Sequence, residues 1–469
     1  MNLKSYIRSQ IFKTIGKSAA ELDTEVYAIG GMVRDILLKR PNKDYDFVTD
    51  GDGIQLAERV AEKLGVKKVN VFKNFGTAQF KFNDLDLEFV GARKESYNQS
   101  SRKPHVAPGS LSDDQKRRDF TINALAISLQ EKNFGDLIDP FDGFSDLNAK
   151  IIRTPLDADI TFSDDPLRMF RAIRFAAQLG FSIEKESYEA IKRNAHRIDI
   201  LSGERIIAEV NKMILTKRPS KGFRMMFDTG LLQRFFPELV KLHGIEKIEG
   251  ISHKDNFYHT LQVLDNLAET SDDLWLRWGA IMHDIAKPPT KRFEPGIGWT
   301  FHGHEDLGAR MVPKIFSRLK LPLDHQMKYV QKMVQLHLRP IALTKEEITD
   351  SAIRRLLFEA GDDIDDLMLL CKADITSKNE AKVKKYLNNY ELVKIKLDEV
   401  EKKDHIRNFQ PPITGELIMS TFGLAPGKEV GIIKNAIKDA ILDGIIHNDF
   451  DEAFRYMLEQ ADKIGLQKV

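Results

Sequence analysis

Cysteine is almost missing from this chain. Cys371 is the one thiol in 469 residues, which excludes an internal disulfide and a cysteine-rich zinc site. Long apolar runs are missing too, so no segment reads as a membrane span. An excess of charge of either sign is also absent. The 71 Lys and Arg offset 70 Asp and Glu to leave +1, so any nucleic-acid binding has to come from a local patch. There is no low-complexity tract and no convincing internal repeat. The opening stretch MNLKSYIRSQIFKTIGKSAAEL is amphipathic, with no apolar core and no cleavage pattern. It reads as a surface helix and not a signal peptide, and a cytoplasmic location is expected. What is present is globular: 42% hydrophobic and 30% charged residues support a real core, and the length suggests about three domains.

The chain is organised around residues 27–49, YAIGGMVRDILLKRPNKDYDFVT. Residues 27–29 are apolar and β-prone. Gly30 and Gly31 then break the strand and let the backbone approach another group closely. Residues 32–38 carry helical spacing at Val33, Ile36 and Leu37, and residues 44–48 alternate as a second strand. Side chains two apart on a strand share a face, so Asp44 and Asp46 are expected to point the same way. Their mutual repulsion would be relieved by a divalent metal. Glycine amides at a helix start suit phosphate. Together these features predict phosphoryl or nucleotidyl transfer from a nucleoside triphosphate. Residues 54–64 read as a helix, and 69–72, 77–82 and 85–90 as strands. In the last strand Glu88, between Leu87 and Phe89, is the candidate third carboxylate. Residues 91–117 are polar, contain two prolines and show little periodicity. They read as a long functional loop carrying Arg93, Lys94, Arg102 and Lys103.

A second constellation follows. RRDFTINAL, residues 117–125, reads as a charged helix start, with Arg118 able to pair with a triphosphate or orient the carboxylates and Asn123 one turn on. DDPLRMFRAIRF, residues 164–175, starts another helix, with Asp164 as N-cap and Pro166 in the first turn. Asp165 and Arg168 are three apart and so neighbours. A carboxylate beside a guanidinium offers the acceptor and donors needed to read a base edge. Arg171 and Arg174 continue around the helix, where phosphate is a natural partner.

In order, IGGMVRD, DYDFV, RRDFTINALA, DPFDGFSDL, DDPLRMFRAIRFAAQLGF and ERIIAE resemble the class II CCA-adding tRNA nucleotidyltransferase and poly(A) polymerase family of the DNA polymerase β-like superfamily. The resemblance covers roughly residues 25–240. It implies that Asp44 and Asp46 bind catalytic Mg²⁺ and that Gly30, Gly31 and Arg34 contact the triphosphate. It also implies that Arg118, Asp119, Asn123, Asp165, Arg168, Arg171 and Arg174 bind the nucleotide, with Asp165 and Arg168 selecting CTP or ATP. Two Mg²⁺ ions about 3.5–4 Å apart would then activate an RNA 3′-hydroxyl and stabilise leaving pyrophosphate.

Beyond about residue 155 the apolar spacing is helical almost throughout. His259, His283-Asp284, His304, His337 and Asp374 fall in an order that resembles the HD metal-phosphohydrolase domain. His259, His283, Asp284 and Asp374 would hold one metal, and His304 and His337 could serve a second. Residue type does not choose between a transition metal and Mg²⁺. Lys287 fits the family form HDIGK, with Ala286 in place of its glycine.

The expected architecture is an α/β nucleotidyltransferase head with a small mixed sheet (1–154), an all-α neck that selects nucleotides and binds RNA (155–245), an all-α HD domain (246–385) and a helical tail (386–469). By resemblance the tail cradles the tRNA elbow. The expected partners are tRNA, CTP and ATP, with no membrane. Addition of A alone, to tRNA or as poly(A), is the nearest alternative. A hydrolase whose head merely binds nucleotides is the alternative of another class.

Overall fold

The structure, a computed structural model, describes residues 1–73, 76–98, 101–343, 349–376, 379–404, 406–407 and 409–469. The side chains of 95–98 and 101–105 lie outside that description, and with them the Arg102 and Lys103 of the expected loop. The chain divides into two compact units, Met1–Pro237 and Glu238–Val469. The first boundary precedes the 245/246 break read from the sequence.

The first unit is built on a seven-stranded sheet. Its strands are β1 (Val26–Ile29), β2 (Asp44–Thr49), β3 (Asn70–Phe72), β4 (Thr77–Phe82), β5 (Leu85–Gly91), β8 (Ala126–Ser128) and β9 (Leu137–Ile138), in the spatial order β3-β4-β5-β2-β1-β8-β9. β2 and β5 pair in parallel, and the other neighbours are antiparallel. One face is covered by α1 (Gln10–Glu21) and α3 (Gly53–Leu64). Leu56, Ala57, Val60 and Ala61 of α3 and Ile11, Phe12 and Ile15 of α1 join Phe47, Phe80, Leu87 and Phe89 of the strands in one core. This is the three-to-four spacing of an apolar helix stripe meeting the period-two face of a sheet. The opening helix is thus amphipathic as read. Its caps are local: Ser9 accepts from the Ile11 amide, and Asp52 caps α3.

Two readings need correction. Residues 91–117 are not a structureless loop. They form the antiparallel pair β6 (Arg93–Asn98) and β7 (Ser101–Pro108), followed by α4 (Leu111–Lys116), which Ser110 and Asp113 start with a reciprocal capping box. Pro104 within β7, Pro108 at its end and the absence of an apolar stripe in the sequence hid the hairpin. Residues 117–125 likewise do not start a helix. Arg117 and Arg118 follow the end of α4, and only Thr121–Asn123 form a single 3-10 turn.

The remainder is mostly helical, as expected, with three short strand pairs that its spacing did not announce. Ile151–Ile152 pairs with Ser182–Ile183, Lys247–Ile248 with Ile251–Ser252, and Arg292–Glu294 with Gly298–Thr300. Two- and three-residue strands are too short to show a period. No helix among the described residues is long and apolar enough to cross a membrane.

Phe47 sits directly after Asp46, is 1% exposed, and stacks on Phe89 with centroids 5.1 Å apart while meeting Phe12 edge-on. Phe47→Ala is expected to cost about 3–5 kcal/mol of stability, read as a lowered urea midpoint. Because the same strand aims Asp46, nucleotide incorporation should fall with it.

Candidate functional site

The register of the sheet assembles the first site. β2 lies between β1 and β5. Ile29, the residue before Gly30, is opposite Asp46 in the β1–β2 pairing. On the other side Asp46 is opposite Glu88, and Asp44 is opposite Asp86. Asp44, Asp46 and Glu88 therefore lie on one face of adjacent parallel strands, the arrangement read from the alternation. Gly30 has φ +83°, and a Cβ on it would sit 2.8 Å from Arg118 Nη1 and 3.3 Å from Asp46 Oδ2. The first glycine of the pair is thus both a left-handed hinge and a close-approach point beneath the carboxylate.

Gly31, Arg34, Asp44, Asp46, Arg118, Asp119, Asn123, Arg171 and Arg174 line one cleft of about 440 Å³. Glu88 lines an adjoining cavity of about 500 Å³ that shares Asp46 and Arg118 with it. Burial pushes the Asp46 carboxyl up to about 6 against the pull of Arg118, and Glu88 and Asp44 add to the push. An acidic cluster whose ionisation is resisted in this way fits a divalent cation bound through oxygen.

The cationic side of the cleft is a buried relay. Arg34 bonds Asp35 through Nε at 2.9 Å and Asn123 Oδ1 through Nη1 at 2.8 Å. Asn123 Nδ2 donates to Asp119 Oδ1 at 2.9 Å, and Arg171 Nε donates to Asp119 Oδ2 at 2.7 Å. Burial opposes ionisation of Asp119, but Arg171 and Asn123 outweigh it and hold the carboxyl down to about 2. Asp119 thus orients Arg171 and Asn123 from within this network. Three guanidinium groups, of Arg34, Arg171 and Arg174, gather on the ring of Phe175 at 4.9, 5.4 and 3.9 Å.

Arg174 is committed further, to Glu209 at 2.5 Å. Arg118 is anchored by Asp114, which also takes Arg117. Phe175, Asp114 and Glu209 were not singled out in the sequence. The first belongs to the arginine-rich helix, and the other two could be found only by pairing each cleft arginine with a buried acid.

Asp165 and Arg168 do not line this cleft. Asp164 ends the helix Ala158–Asp164, and it is Asp165, not Asp164, that accepts from the Leu167 amide at the start of Leu167–Leu179. Arg168 Nη2 donates to the Arg117 carbonyl at 2.5 Å, which ties the base-reading candidate to the chain that carries Arg118.

The second site lies in the second unit. His283 and His337 each follow the last residue of a helix, Leu274–Met282 and His325–Leu336. His304 opens His304–Leu319, and Asp374 closes Ile364–Asp374. Two triads, His259–His283–Asp284 and Asp284–His304–His337, share Asp284. His259 Nε2 is 2.8 Å from Asp374 Oδ1 and 3.7 Å from Asp284 Oδ2. His283 Nε2 is 3.2 Å from Asp284 Oδ2, and His304 Nε2 is 3.3 Å from Asp284 Oδ1.

The other ring nitrogens are spoken for. Nδ1 of His283, His304 and His337 meets the carbonyls of Ala280, Phe301 and Val334 at 2.7–2.8 Å. Those bonds fix the tautomer that aims Nε2 inward. His283 Nε2 is buried and makes no hydrogen bond, an orphan that a metal would satisfy. Burial also pushes His337 down to about 3 and His259 below its usual range, leaving both as neutral donors. This donor set of imidazoles and carboxylates fits a divalent ion. Lys254 and Thr376, both bonded to His259 Nδ1, carried no sequence signal.

Comparisons with known proteins match a domain to each of the two regions that carry these residues. The poly A polymerase head domain matches residues 26–153, the probable RNA and SrmB- binding site of polymerase A matches 180–242, and the HD domain matches 256–378. The Multifunctional CCA protein of Shewanella frigidimarina is 33% identical over 313 residues, 64% of this chain and 71% of that protein. The A-adding tRNA nucleotidyltransferase of Deinococcus radiodurans is 28% identical over 88% of this chain and 90% of its own length. The A-adding tRNA nucleotidyltransferase of Geobacter sulfurreducens is 40% identical over 233 residues, but the match spans only 26% of that relative's length. Among solved structures, a CCA-adding enzyme with ATP shares the fold, with a TM-score of 0.65 at 22% identity and 98% coverage of both chains. The chain belongs to the tRNA nucleotidyltransferase and poly(A) polymerase family, a family of enzymes.

Two outcomes test the geometry of the cleft. Gly30→Ala forces a Cβ against Arg118 and Asp46 at a positive φ, and incorporation should drop at least tenfold while circular dichroism is retained. Asp119 is held below its ordinary value of 3.8, so its contribution is present above about pH 4 and is lost as pH falls toward 2. Asp119→Asn should therefore cost on the order of 2 kcal/mol at pH 7, with the gap to wild type closing below about pH 4 in melts across pH.

Proposed function

We propose that this chain adds CCA to the 3′ end of tRNA, taking CTP and ATP as substrates. The observation that carries the proposal is the placement of Asp44 and Asp46 in the same cleft as Gly31, Arg34 and Arg171. Asp44, Asp46 and Glu88 would hold Mg²⁺. Bound there, Mg²⁺ supplies charge neutralisation at the reacting phosphate and a lowered pKa for the attacking hydroxyl.

The residues of the chain do the remainder. Gly30 and Gly31 give the triphosphate room beside the backbone. Arg34, Arg118 and Arg171 bind its oxygens, with Asp119 and Asn123 fixing their directions. Arg174 on Phe175 extends the charged wall, and Asp165 with Arg168 offers an acceptor and donors to the base edge. The terminal ribose 3′-hydroxyl releases its proton to solvent water, and its oxygen forms a bond to the α-phosphorus. The bond from that phosphorus to the bridging oxygen breaks, and pyrophosphate leaves with the electron pair. In this reading residues 1–154 are the catalytic head, 155–245 the nucleotide-selecting neck and RNA-binding region, 246–385 the HD domain and 386–469 a tail available to tRNA.

The His259, His283, Asp284, His304, His337 and Asp374 centre is read as an accessory phosphohydrolase or phosphodiesterase. A bound divalent ion there supplies Lewis-acid polarisation of a phosphoester. Burial opposes ionisation of Asp284, but His283 first and then Lys287, 2.6 Å from Asp284 Oδ2, hold that carboxylate ionised.

A second reading, addition of A alone, is favoured by the Deinococcus and Geobacter relatives, both A-adding tRNA nucleotidyltransferases. Incubation of tRNA lacking its 3′ CCA with each labelled nucleotide decides between them. Incorporation of both C and A supports CCA addition, and A alone on a CC-ended acceptor supports the second reading. Asp44→Ala should abolish incorporation while sparing Ni²⁺- or Mn²⁺-dependent phosphate release from 2′,3′-cyclic nucleotides. His283→Ala should do the reverse, and loss of both activities in either variant would overturn the assignment of two independent sites.

A further inference from the structure

The rim of the histidine–aspartate centre carries aromatic rings that neither metal binding nor helix packing uses, with lysines beside them. The pair Arg292–Glu294 and Gly298–Thr300 presents Trp299, which meets Phe293 edge-on at 5.4 Å and His253 at 5.1 Å. His253 in turn meets Phe301 at 6.1 Å. These rings are half-buried, and the hairpins that hold them expose Ile251 and Ile297, so they do not close a core. They are instead held by polar contacts. The Trp299 indole N–H donates to the Ile251 carbonyl at 3.2 Å. His253 Nε2 accepts from the Glu246 amide at 3.1 Å, and its Nδ1 lies 2.8 Å from the Lys254 carbonyl. With both nitrogens committed, His253 serves as a ring and not as a ligand.

Lysines flank this cluster, and of these Lys291 is also paired with Glu246. Lys291 Nζ is 5.2 Å from the Trp299 ring centroid, and Lys287 Nζ is 5.6 Å from that of Phe301. The same Lys287 amine contacts Asp284, and Lys254 Nζ contacts His259 at 2.8 Å. The Phe301 carbonyl positions His304. A continuous path of rings therefore starts at the ligand shell and runs outward to Trp299, with three ammonium groups along it. A phosphate ester without a base would use the lysines and have no use for the rings. A nucleotide uses both, because bases stack on aromatic faces and cations take the phosphate.

We propose that Trp299, Phe301 and His253 form a nucleobase-stacking subsite of this centre, with Lys254, Lys287 and Lys291 receiving the phosphate of a nucleotide or RNA terminus. The proposal rests on the phosphohydrolase reading above. The full chain loaded with Mn²⁺ is tested on adenosine 2′-phosphate and on glycerol 2-phosphate, both monoesters of a secondary hydroxyl. Trp299→Ala and Phe301→Leu should raise KM for the nucleotide by about tenfold, the scale of one lost stacking contact. Glycerol 2-phosphate turnover should stay within about twofold, and Trp299→Phe should restore most of the nucleotide KM.

Equal loss on both substrates, or no loss on either, overturns the subsite. If wild type hydrolyses neither compound, the hydrolase reading fails by itself, and calorimetric titration then decides the subsite. Adenosine 2′-phosphate binding weakened in Trp299→Ala, with glycerol 2-phosphate binding equal in both proteins, supports it, and equal nucleotide affinities overturn it.

Discussion

The first unit depends on repulsion that its own sheet enforces. Parallel pairing of β2 with β5 sets Asp46 opposite Glu88, and Asp44 sits two residues away on the same face. A fold left to minimise its electrostatic energy would not place three carboxylates there, and burial makes the placement worse by disfavouring the ionised form of Asp46. Arg118 offsets the repulsion only in part. The core supplies the stability that keeps the strands in register regardless: Phe12, Phe47, Phe80 and Phe89 stack behind the carboxylates on the opposite face. Alternation on β2 gives each strand residue one of two jobs, and a slip of one position would exchange them.

That division also explains what the sequence disclosed. Asp44, Asp46 and Glu88 were legible because period-two alternation is strict where one face is buried. Gly30 was legible because no other residue takes φ +83° beside a carboxylate and a guanidinium without strain. The β6–β7 hairpin was not legible, since its sequence is polar and holds two prolines, and pattern reading depends on an apolar alternation that it lacks. The start at Asp165 was misplaced by one residue because Asp164 and Asp165 are equally good caps on paper. The choice between them was made by where the preceding helix ended.

Asp114 and Glu209 show a further limit. Each is buried among arginines, and each is chemically ordinary until its partner is known. Composition sees a balance of 71 against 70 charges. In the folded chain that balance is local: the cationic wall of the cleft is held together by acids behind it, so several of its guanidinium groups are pre-aimed and the net charge stays near zero. Oriented donors in a partly buried site bind an oxyanion more strongly than mobile surface lysines do, because less conformational freedom is lost on binding.

The two candidate metal sites meet one electrostatic problem with different materials. In the sheet, backbone polarity is consumed by the ladder, so only side chains on one face can meet a cation, and the strand spacing delivers oxygen donors alone. Oxygen donors suit a hard ion such as Mg²⁺. In the helical unit three of the four histidines stand at helix boundaries, and each turns its Nδ1 to the carbonyl three residues back. Those boundaries can therefore deliver oriented imidazole nitrogens, which strand alternation cannot fix in the same way. Nitrogen donors widen the choice toward transition metals, and the orphaned Nε2 of His283 is the atom on which that choice acts. The chemistry open to each site thus follows from the donor atoms its secondary structure can hold in place.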